Sequence, residues 1–194
     1  MPGFPPMHDD ETEQLLAFLE QQRSAVRLAA YGLSDEQARE APSVSSLSVG
    51  GIIRHLTSVE RYWTDVVLGQ PSAPDAGAHE RGFELGVDET LAGAIADYAD
   101  AARDTDRVVR ERSLGAPVPV PKGVPWFPSD VEAWTVRWVV LHLMEETARH
   151  AGHADIVRES VDGATWLPLL SAAESWDLRP WVEPWSPRTT ARTS

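Results

Sequence analysis

A short stretch of the chain, residues 142–153, carries three of its six histidines and two glutamates. On a helix that turns about 100° per residue, His142, Glu146, His150 and His153 fall within about 80° of one another. Imidazole and carboxylate groups that face a core cost free energy unless a partner satisfies them, and a metal ion can satisfy several at once. The pattern therefore favours a metal site on one face of a helix.

The spacing within this face limits which residues can share one ion. Glu146 and His150 are four residues apart, about 6 Å along the axis, which is the spacing of two-ligand metal sites on helices. His142 and His150 are separated by about 12 Å of helix rise, so one ion cannot bind both on a regular helix. His55, on the core face of an earlier helix, could supply a third ligand. Such a nitrogen and oxygen set suits zinc first, and nickel or iron as alternatives, in a catalytic site.

Two neighbouring residues have more than one candidate role. His153 could be a fourth ligand, hydrogen-bond a bound water or act as a general base. Arg149 could hold an anionic group of a substrate, or pair with Glu145 or Glu146. The competing interpretation makes each histidine a satisfied, half-buried side chain and the charged residues an ordinary surface pair. Several imidazoles, His150 among them, share one face with a carboxylate, and this convergence favours metal binding.

Four amphipathic segments must position these residues. The apolar spacing and the end signals predict long helices at about residues 10–32, 48–68, 88–112 and 129–161. A capping-box pattern at residues 34–37 predicts a short helical turn. No segment is typical of a strand, and five prolines exclude regular helix between the last two long helices. We therefore expect an all-α, antiparallel four-helix bundle with long connecting loops, whose facing helices can build a metal site in the core.

The C-terminal segment differs in composition from the rest of the chain. We assign residues 1–163 to the bundle domain and residues 164–194 to a tail rich in tryptophan and proline, which holds four of the eight tryptophans. We expect irregular chain that packs aromatic rings on the bundle, with residues 188–194 disordered. A ligand-stacking or partner-binding role is the alternative, and the tail could supply a homodimer interface.

Composition excludes several function classes. The chain has no cysteine, so disulfides, thiolate ligands and a cysteine nucleophile are ruled out and any thiol chemistry needs an external thiol. A formal net charge of −13 opposes binding to nucleic acid or to an anionic membrane. No apolar run reaches the roughly 18 residues of a membrane span, and the first residues lack a secretory signal. We expect a cytoplasmic protein that acts on a small molecule.

Two motifs resemble those of a known superfamily. The first is VGGIIRHL at residues 49–56, followed by VERYW at 59–63. The second and more specific motif is EETARHAGHADIVRE at residues 145–159, followed by VDG. Together they resemble the DinB/YfiT-like superfamily, in its actinobacterial-type branch related to mycothiol-dependent enzymes. The resemblance covers about residues 10–163.

The resemblance implies a four-helix bundle that holds a divalent metal through three residues, which correspond here to His55, Glu146 and His150. Many members have histidine at the position of Glu146, whereas the thiol-dependent maleylpyruvate isomerases have glutamate there. His153 stands where glutamine is frequent, which leaves four-ligand coordination open. The activity implied is thiol chemistry, since members include S-transferases and isomerases that use mycothiol or bacillithiol.

The leading hypothesis is a metal-dependent enzyme that activates a low-molecular-weight thiol, such as mycothiol, for S-transfer to a small electrophile or for its isomerisation. A metal bound at this site would lower the pKa of the thiol. The first alternative is a metal-dependent hydrolase, in which water replaces the thiol. The second is a non-catalytic stress protein that binds a metal or a small ligand.

Overall fold

The computed structural model describes residues 3–70, 82–176 and 179–187. This part of the chain forms six helices and two short strands. In chain order they are α1 (Glu11–Ala29), α2 (Asp35–Arg39), α3 (Val49–Leu68), α4 (Leu91–Arg110), β1 (Pro117–Pro119), β2 (Ala133–Thr135), α5 (Val136–Asp162) and α6 (Trp166–Ala173). The predicted all-α bundle is confirmed, and its four long helices are α1, α3, α4 and α5.

Local sequence sets the ends of these helices. A polar side chain accepts a backbone N–H at the start of each long helix, and these capping residues are Asp10, Ser48, Thr90 and Thr135. The predicted capping box of Ser34 and Gln37 opens α2. α3 and α5 both end at a glycine in the left-handed conformation, Gly69 and Gly163, each with φ of 77°.

The long helices pack as two pairs, α1 along α5 and α3 along α4, and α3 also packs against α5. Two apolar clusters fill the core, one around Ile53 and Tyr98 and the other around Trp63 and Leu143. Each long helix contributes apolar residues to both clusters, and between these two apolar stretches it carries buried polar residues. These residues are Arg23 on α1, Glu60 on α3, Thr105 on α4, and Thr147 and His150 on α5.

The start of α5 differs from the prediction. Residues 133–135 pair with Pro117–Pro119 in a two-stranded antiparallel sheet, so α5 begins at Val136 rather than near residue 130. Pro117 and Pro119 are exposed, whereas Val118 is 1% exposed and lies opposite Trp134. A two-stranded ribbon consists of edge strands only, where prolines are tolerated because no further strand needs their missing N–H groups. The proline-rich connection is therefore partly ordered as a strand.

The tail is more regular at its start than the sequence indicated. Its residues Trp166–Ala173 form α6, which buries Leu169 and Leu170 against Leu28 of α1. Trp185 packs against Gly32, where a Cβ atom would lie 2.6 Å from the indole ring. Trp166 and Trp185 therefore pack against the small apolar cluster that α6 forms with Leu28.

Other tail residues stay in solvent, since Trp176 is 45% exposed and Trp181 is 84% exposed. The division into domains at residue 163 stays a prediction. The loop predicted after α3 runs to about residue 86, and its residues 71–81 lie outside the described residues. The chain predicted as disordered at 188–194 lies outside them as well. No helix within the described residues has the length and apolar character needed to cross a membrane.

Candidate metal centre

His55 of α3 meets Glu146 and His150 of α5 where these two helices pack together. One ligand atom from each side chain lies within 4.8 Å of the others. The Nε2 atoms of His55 and His150 lie 3.1 Å and 3.3 Å from the same Glu146 oxygen, Oε1. Two imidazole nitrogens and a carboxylate oxygen are a donor set that divalent zinc, nickel or iron accepts, so the three residues could hold a metal ion.

The three side chains differ in their access to solvent. His55 is 6% exposed and His150 is 7% exposed, whereas the Glu146 side chain is 23% exposed. Contacts with His150 and then with His55 hold the pKa of the Glu146 carboxyl far below its usual range. Glu146 is therefore ionised at neutral pH, which is the form that binds metals. The site has a buried nitrogen side and an oxygen side that an external ligand can reach.

The segment after residue 81 covers the buried side of the site. The ring of Phe83 stacks on His55 with centroids 3.9 Å apart and an angle of 14°, and its centroid lies 5.4 Å from that of His150. A Cβ atom on Gly51 would lie 1.9 Å from the Phe83 carbonyl oxygen, so only glycine at this position permits the close approach. Sequence reasoning missed Phe83. The signal that could have indicated a close backbone approach is the pair of glycines at the start of α3.

His153 lies beside the site. Its Nδ1 atom is 3.5 Å from Nδ1 of His150, the ring nitrogen opposite the one that faces Glu146. A group in this position can orient an imidazole whose other nitrogen binds a metal. The roles predicted for His153, as a ligand or as a base, stay predictions.

Arg149 adopts one of the two arrangements that the sequence left open. Its guanidinium donates to Glu145 at 3.1 Å, and its side chain is 64% exposed. A contact between Arg149 and a substrate stays a prediction.

His142 lies outside the group of three, in agreement with the argument from helix rise. Its ring stacks on Trp138 with centroids 5.3 Å apart and an angle of 11°, and it meets Trp63 at 4.7 Å. Burial among these rings lowers the pKa of His142. The histidine therefore belongs to an aromatic cluster that adjoins the candidate metal centre.

A second buried polar group, which we call the ion-pair cluster, links α1, α3 and α4. Arg23 donates through Nε and Nη2 to the two Glu60 oxygens at 2.6 Å and 3.0 Å, and through Nη1 to Asp106 at 2.8 Å. The Thr105 hydroxyl donates to Glu60 at 2.5 Å. Arg23 is 0% exposed and Glu60 is 1% exposed. Sequence reasoning missed this cluster, whose signal was an arginine and a glutamate on the apolar faces of two predicted helices.

Known proteins agree with this architecture. A solved structure titled as a conserved protein from Enterococcus faecalis superposes with a TM-score of 0.62, over 81% of this chain and 100% of that chain, at 13% sequence identity. This likeness concerns the fold alone. No curated protein matches the chain in sequence.

The sequence matches a family model as well. The model is that of the mycothiol-S-transferases, and the match spans residues 14–163. This range contains α3, α4, α5 and all of α1 except its first three residues, and with them the three residues of the candidate metal centre. The chain therefore belongs to the mycothiol-S-transferase family, one of the DinB/YfiT-like families.

Proposed function

We propose that this protein is a metal-dependent enzyme that activates a low-molecular-weight thiol of the mycothiol type. The thiolate sulfur would form a bond to an electrophilic carbon of a small substrate, with loss of a leaving group or by addition to a double bond, or the thiol would assist isomerisation of the substrate. The observation that carries the proposal is the convergence of His55, Glu146 and His150 within 4.8 Å, in a member of the mycothiol-S-transferase family. The lack of cysteine in the chain is consistent with an external thiol.

The three residues would hold a divalent cation, with zinc preferred and nickel or iron as alternatives. A metal bound there would lower the pKa of an incoming thiol and so favour the thiolate at neutral pH. Phe83 covers His55 and shields the nitrogen ligands from water. The thiol would reach the site from the side of Glu146, whose carboxylate is the most exposed of the three side chains.

His153 and Arg149 are the candidates for assisting roles. His153 is exposed and contacts His150, so it could orient this ligand, complete the coordination or accept the proton that an incoming thiol loses. Arg149 is held by an exposed ion pair, which costs little to break, and so it could turn towards an anionic group of the thiol or the substrate.

Two further parts of the proposal concern the whole molecule. We place the protein in the cytoplasm, where low-molecular-weight thiols are kept reduced. Homodimer formation through the tail stays a prediction, supported by the exposed ring of Trp181.

The test is thiol consumption by the purified full chain with a panel of electrophiles. The zinc-loaded wild type should consume mycothiol, and metal-free protein and His55→Ala should be inactive. His8→Ala replaces an exposed histidine before α1 and should retain full activity. Equal rates with and without metal, or no turnover with any physiological thiol, would overturn the proposal. Thiol-independent hydrolysis would favour the hydrolase, and tight metal or ligand binding without turnover would favour the non-catalytic protein.

A further inference from the structure

One side chain holds the irregular chain that precedes α4. Residues 83–89, which we call the cover segment, form neither helix nor strand. Arg39, at the end of α2, donates to three carbonyl oxygens of this segment, those of Gly86 at 3.0 Å, Val87 at 3.4 Å and Glu89. A guanidinium presents its N–H donors in fixed directions, so this single group can set the path of the segment.

Two carboxylates add to this attachment. Asp35, on the same short helix as the arginine, accepts the N–H of Leu91 at 2.8 Å, where α4 begins. Glu89 accepts the N–H of Gly86 at 2.8 Å through one oxygen and pairs with Arg54 of α3 at 3.2 Å through the other. The cover segment is therefore attached to α2 as well as to α3.

Close packing accompanies these polar contacts. Leu85, in the middle of the cover segment, is 6% exposed and belongs to the core cluster around Ile53. A Cβ atom on Gly50 would lie 2.7 Å from the Leu85 side chain and 2.9 Å from the carbonyl oxygen of Ala38. Three pieces of chain thus meet at van der Waals distance, and a shift of one piece displaces its neighbours.

We infer that Arg39 is a positioning residue for the candidate metal centre, an inference that rests on the metal site of the proposed function. Arg39 holds the cover segment, which begins at Phe83, and the Phe83 ring lies on His55 with centroids 3.9 Å apart. The stacked ring restricts rotation of the imidazole and keeps water from its face. Groups that orient a ligand in this way typically change metal affinity by about 10- to 100-fold.

A purely structural role for Arg39 makes a different prediction. If Arg39 only stabilised the fold, its loss would lower the free energy of unfolding, while the folded molecules kept the same stack and the same metal affinity. If Arg39 positions Phe83, the folded molecules themselves change at His55. Measurements on the folded protein therefore distinguish the two roles.

Proton NMR of the metal-free full chain measures the stack directly. The ring current of Phe83 shifts the carbon-bound imidazole protons of His55 upfield, and His55→Gln assigns these signals. Phe83→Leu should abolish the shift, and Arg39→Ala should remove most of it. Arg103→Ala, which removes a guanidinium that is 71% exposed on α4, should leave the shift unchanged. Equal His55 signals in the wild type and in Arg39→Ala overturn the inference.

Zinc affinity tests whether the stack supports the metal centre. Competition with a chromophoric chelator should give a Kd about tenfold higher in Arg39→Ala and in Phe83→Leu. The double variant should bind no more weakly than Phe83→Leu, because Arg39 then has no ring to position. An unchanged Kd in Arg39→Ala, or a rise of about 100-fold in the double variant, overturns the inference.

Arg39→Met is the second variant, for use if Arg39→Ala does not fold. Methionine keeps the apolar stem of the side chain and removes its donors. It should reduce the upfield shift and raise the zinc Kd as much as alanine does. A wild-type Kd in Arg39→Met overturns the inference.

Neither measurement uses thiol turnover, so the inference and the proposed function can fail separately. If zinc binds equally well to the wild type and Arg39→Ala, the positioning role fails and the proposed function stands. If zinc binding depends on Arg39 through Phe83 but no thiol is consumed with any electrophile, the proposed thiol chemistry fails and the positioning role stands. A wild type that binds no metal overturns both.

Discussion

The ion-pair cluster and the candidate metal centre both bring charged or polar groups into the core of one bundle, but their donors and acceptors balance differently. In the ion-pair cluster, the guanidinium of Arg23 meets the carboxylates of Glu60 and Asp106 with short, directed hydrogen bonds. In the candidate metal centre, His55 and His150 both turn Nε2 towards one oxygen of Glu146. The first cluster contains its own cation, whereas the second brings together three side chains that could hold one.

The contrast teaches how a buried polar cluster can be classified. A guanidinium bound to two carboxylates is satisfied within the protein, so such a cluster stabilises the fold and needs no ligand. A set of imidazoles and a carboxylate that is partly open to solvent consists of groups that can all act as metal ligands, so we propose that this cluster serves ligand binding rather than stability. Matched carboxylate-to-amide substitutions in the two clusters should therefore have opposite consequences.

Glu60→Gln should give the largest effect on stability. The neutral amide cannot reproduce the two charge-assisted hydrogen bonds that Arg23, which is 0% exposed, donates to Glu60, and Asp106 remains as its partner. The free energy of unfolding should therefore fall by about 3 kcal/mol. Urea denaturation of the metal-free protein measures this loss. The zinc affinity of the folded variant should equal that of the wild type, and a loss below about 1 kcal/mol would contradict a structural role for the pair.

Glu146→Gln should weaken zinc binding and leave the stability of the protein almost unchanged. Zinc affinity should fall at least about 100-fold, or about 2.7 kcal/mol, because an amide is a poor substitute for a carboxylate ligand. The unfolding free energy of the metal-free protein should change by about 1 kcal/mol or less, because Glu146 is partly exposed and the amide can still form hydrogen bonds. Competition titration with a chromophoric chelator measures the affinity. Wild-type affinity in this variant would remove Glu146 from the ligand set.

Gly51→Ala should test how Phe83 supports the metal centre. The added methyl group meets the Phe83 carbonyl oxygen at 1.9 Å, so the backbone must shift, at a cost of about 1 to 3 kcal/mol. Gly152→Ala on α5 is the matched control, because its Cβ has no neighbour within 4 Å among the described residues and alanine favours helix. Thermal unfolding should show a loss for Gly51→Ala and a small gain for Gly152→Ala. Equal behaviour would contradict a tight fit of Phe83 over α3.

His153→Gln should give the smallest change. If His153 orients His150 through the nitrogen opposite Glu146, zinc affinity should fall no more than about tenfold. A fall of about 100-fold or more would instead identify His153 as a fourth ligand. The chelator titration used for Glu146→Gln distinguishes these outcomes, with His142→Gln as a control from the same helix.

The features that the sequence predicted, which are the helices and the spacing of site residues within one helix, depend on local pattern. Helix periodicity placed Glu146 and His150 on one face and predicted that His142 cannot share one ion with His150, because rise per residue is the same in every regular helix. Capping residues such as Ser48 located the helix starts, because a cap is a contact between residues close in the sequence.

The parts that sequence analysis missed depend on contacts between distant segments. Arg23 and Glu60 are 37 residues apart, and no local pattern indicates that their side chains meet. The pairing of β1 with β2 delayed the start of α5, and the contact of Phe83 with His55 joins two segments that are distant in the sequence. Tertiary contacts of this kind can override local propensity.

The most direct test of the metal centre is a zinc titration of the metal-free full chain, with the bound metal counted by elemental analysis. The wild type should bind one zinc per chain. His55→Ala and His150→Ala should each lose this high-affinity site while remaining folded, and Glu60→Gln, in its folded fraction, should retain it. A wild type that binds no zinc, nickel or iron, or a His55→Ala variant that binds zinc with wild-type affinity, would contradict the account.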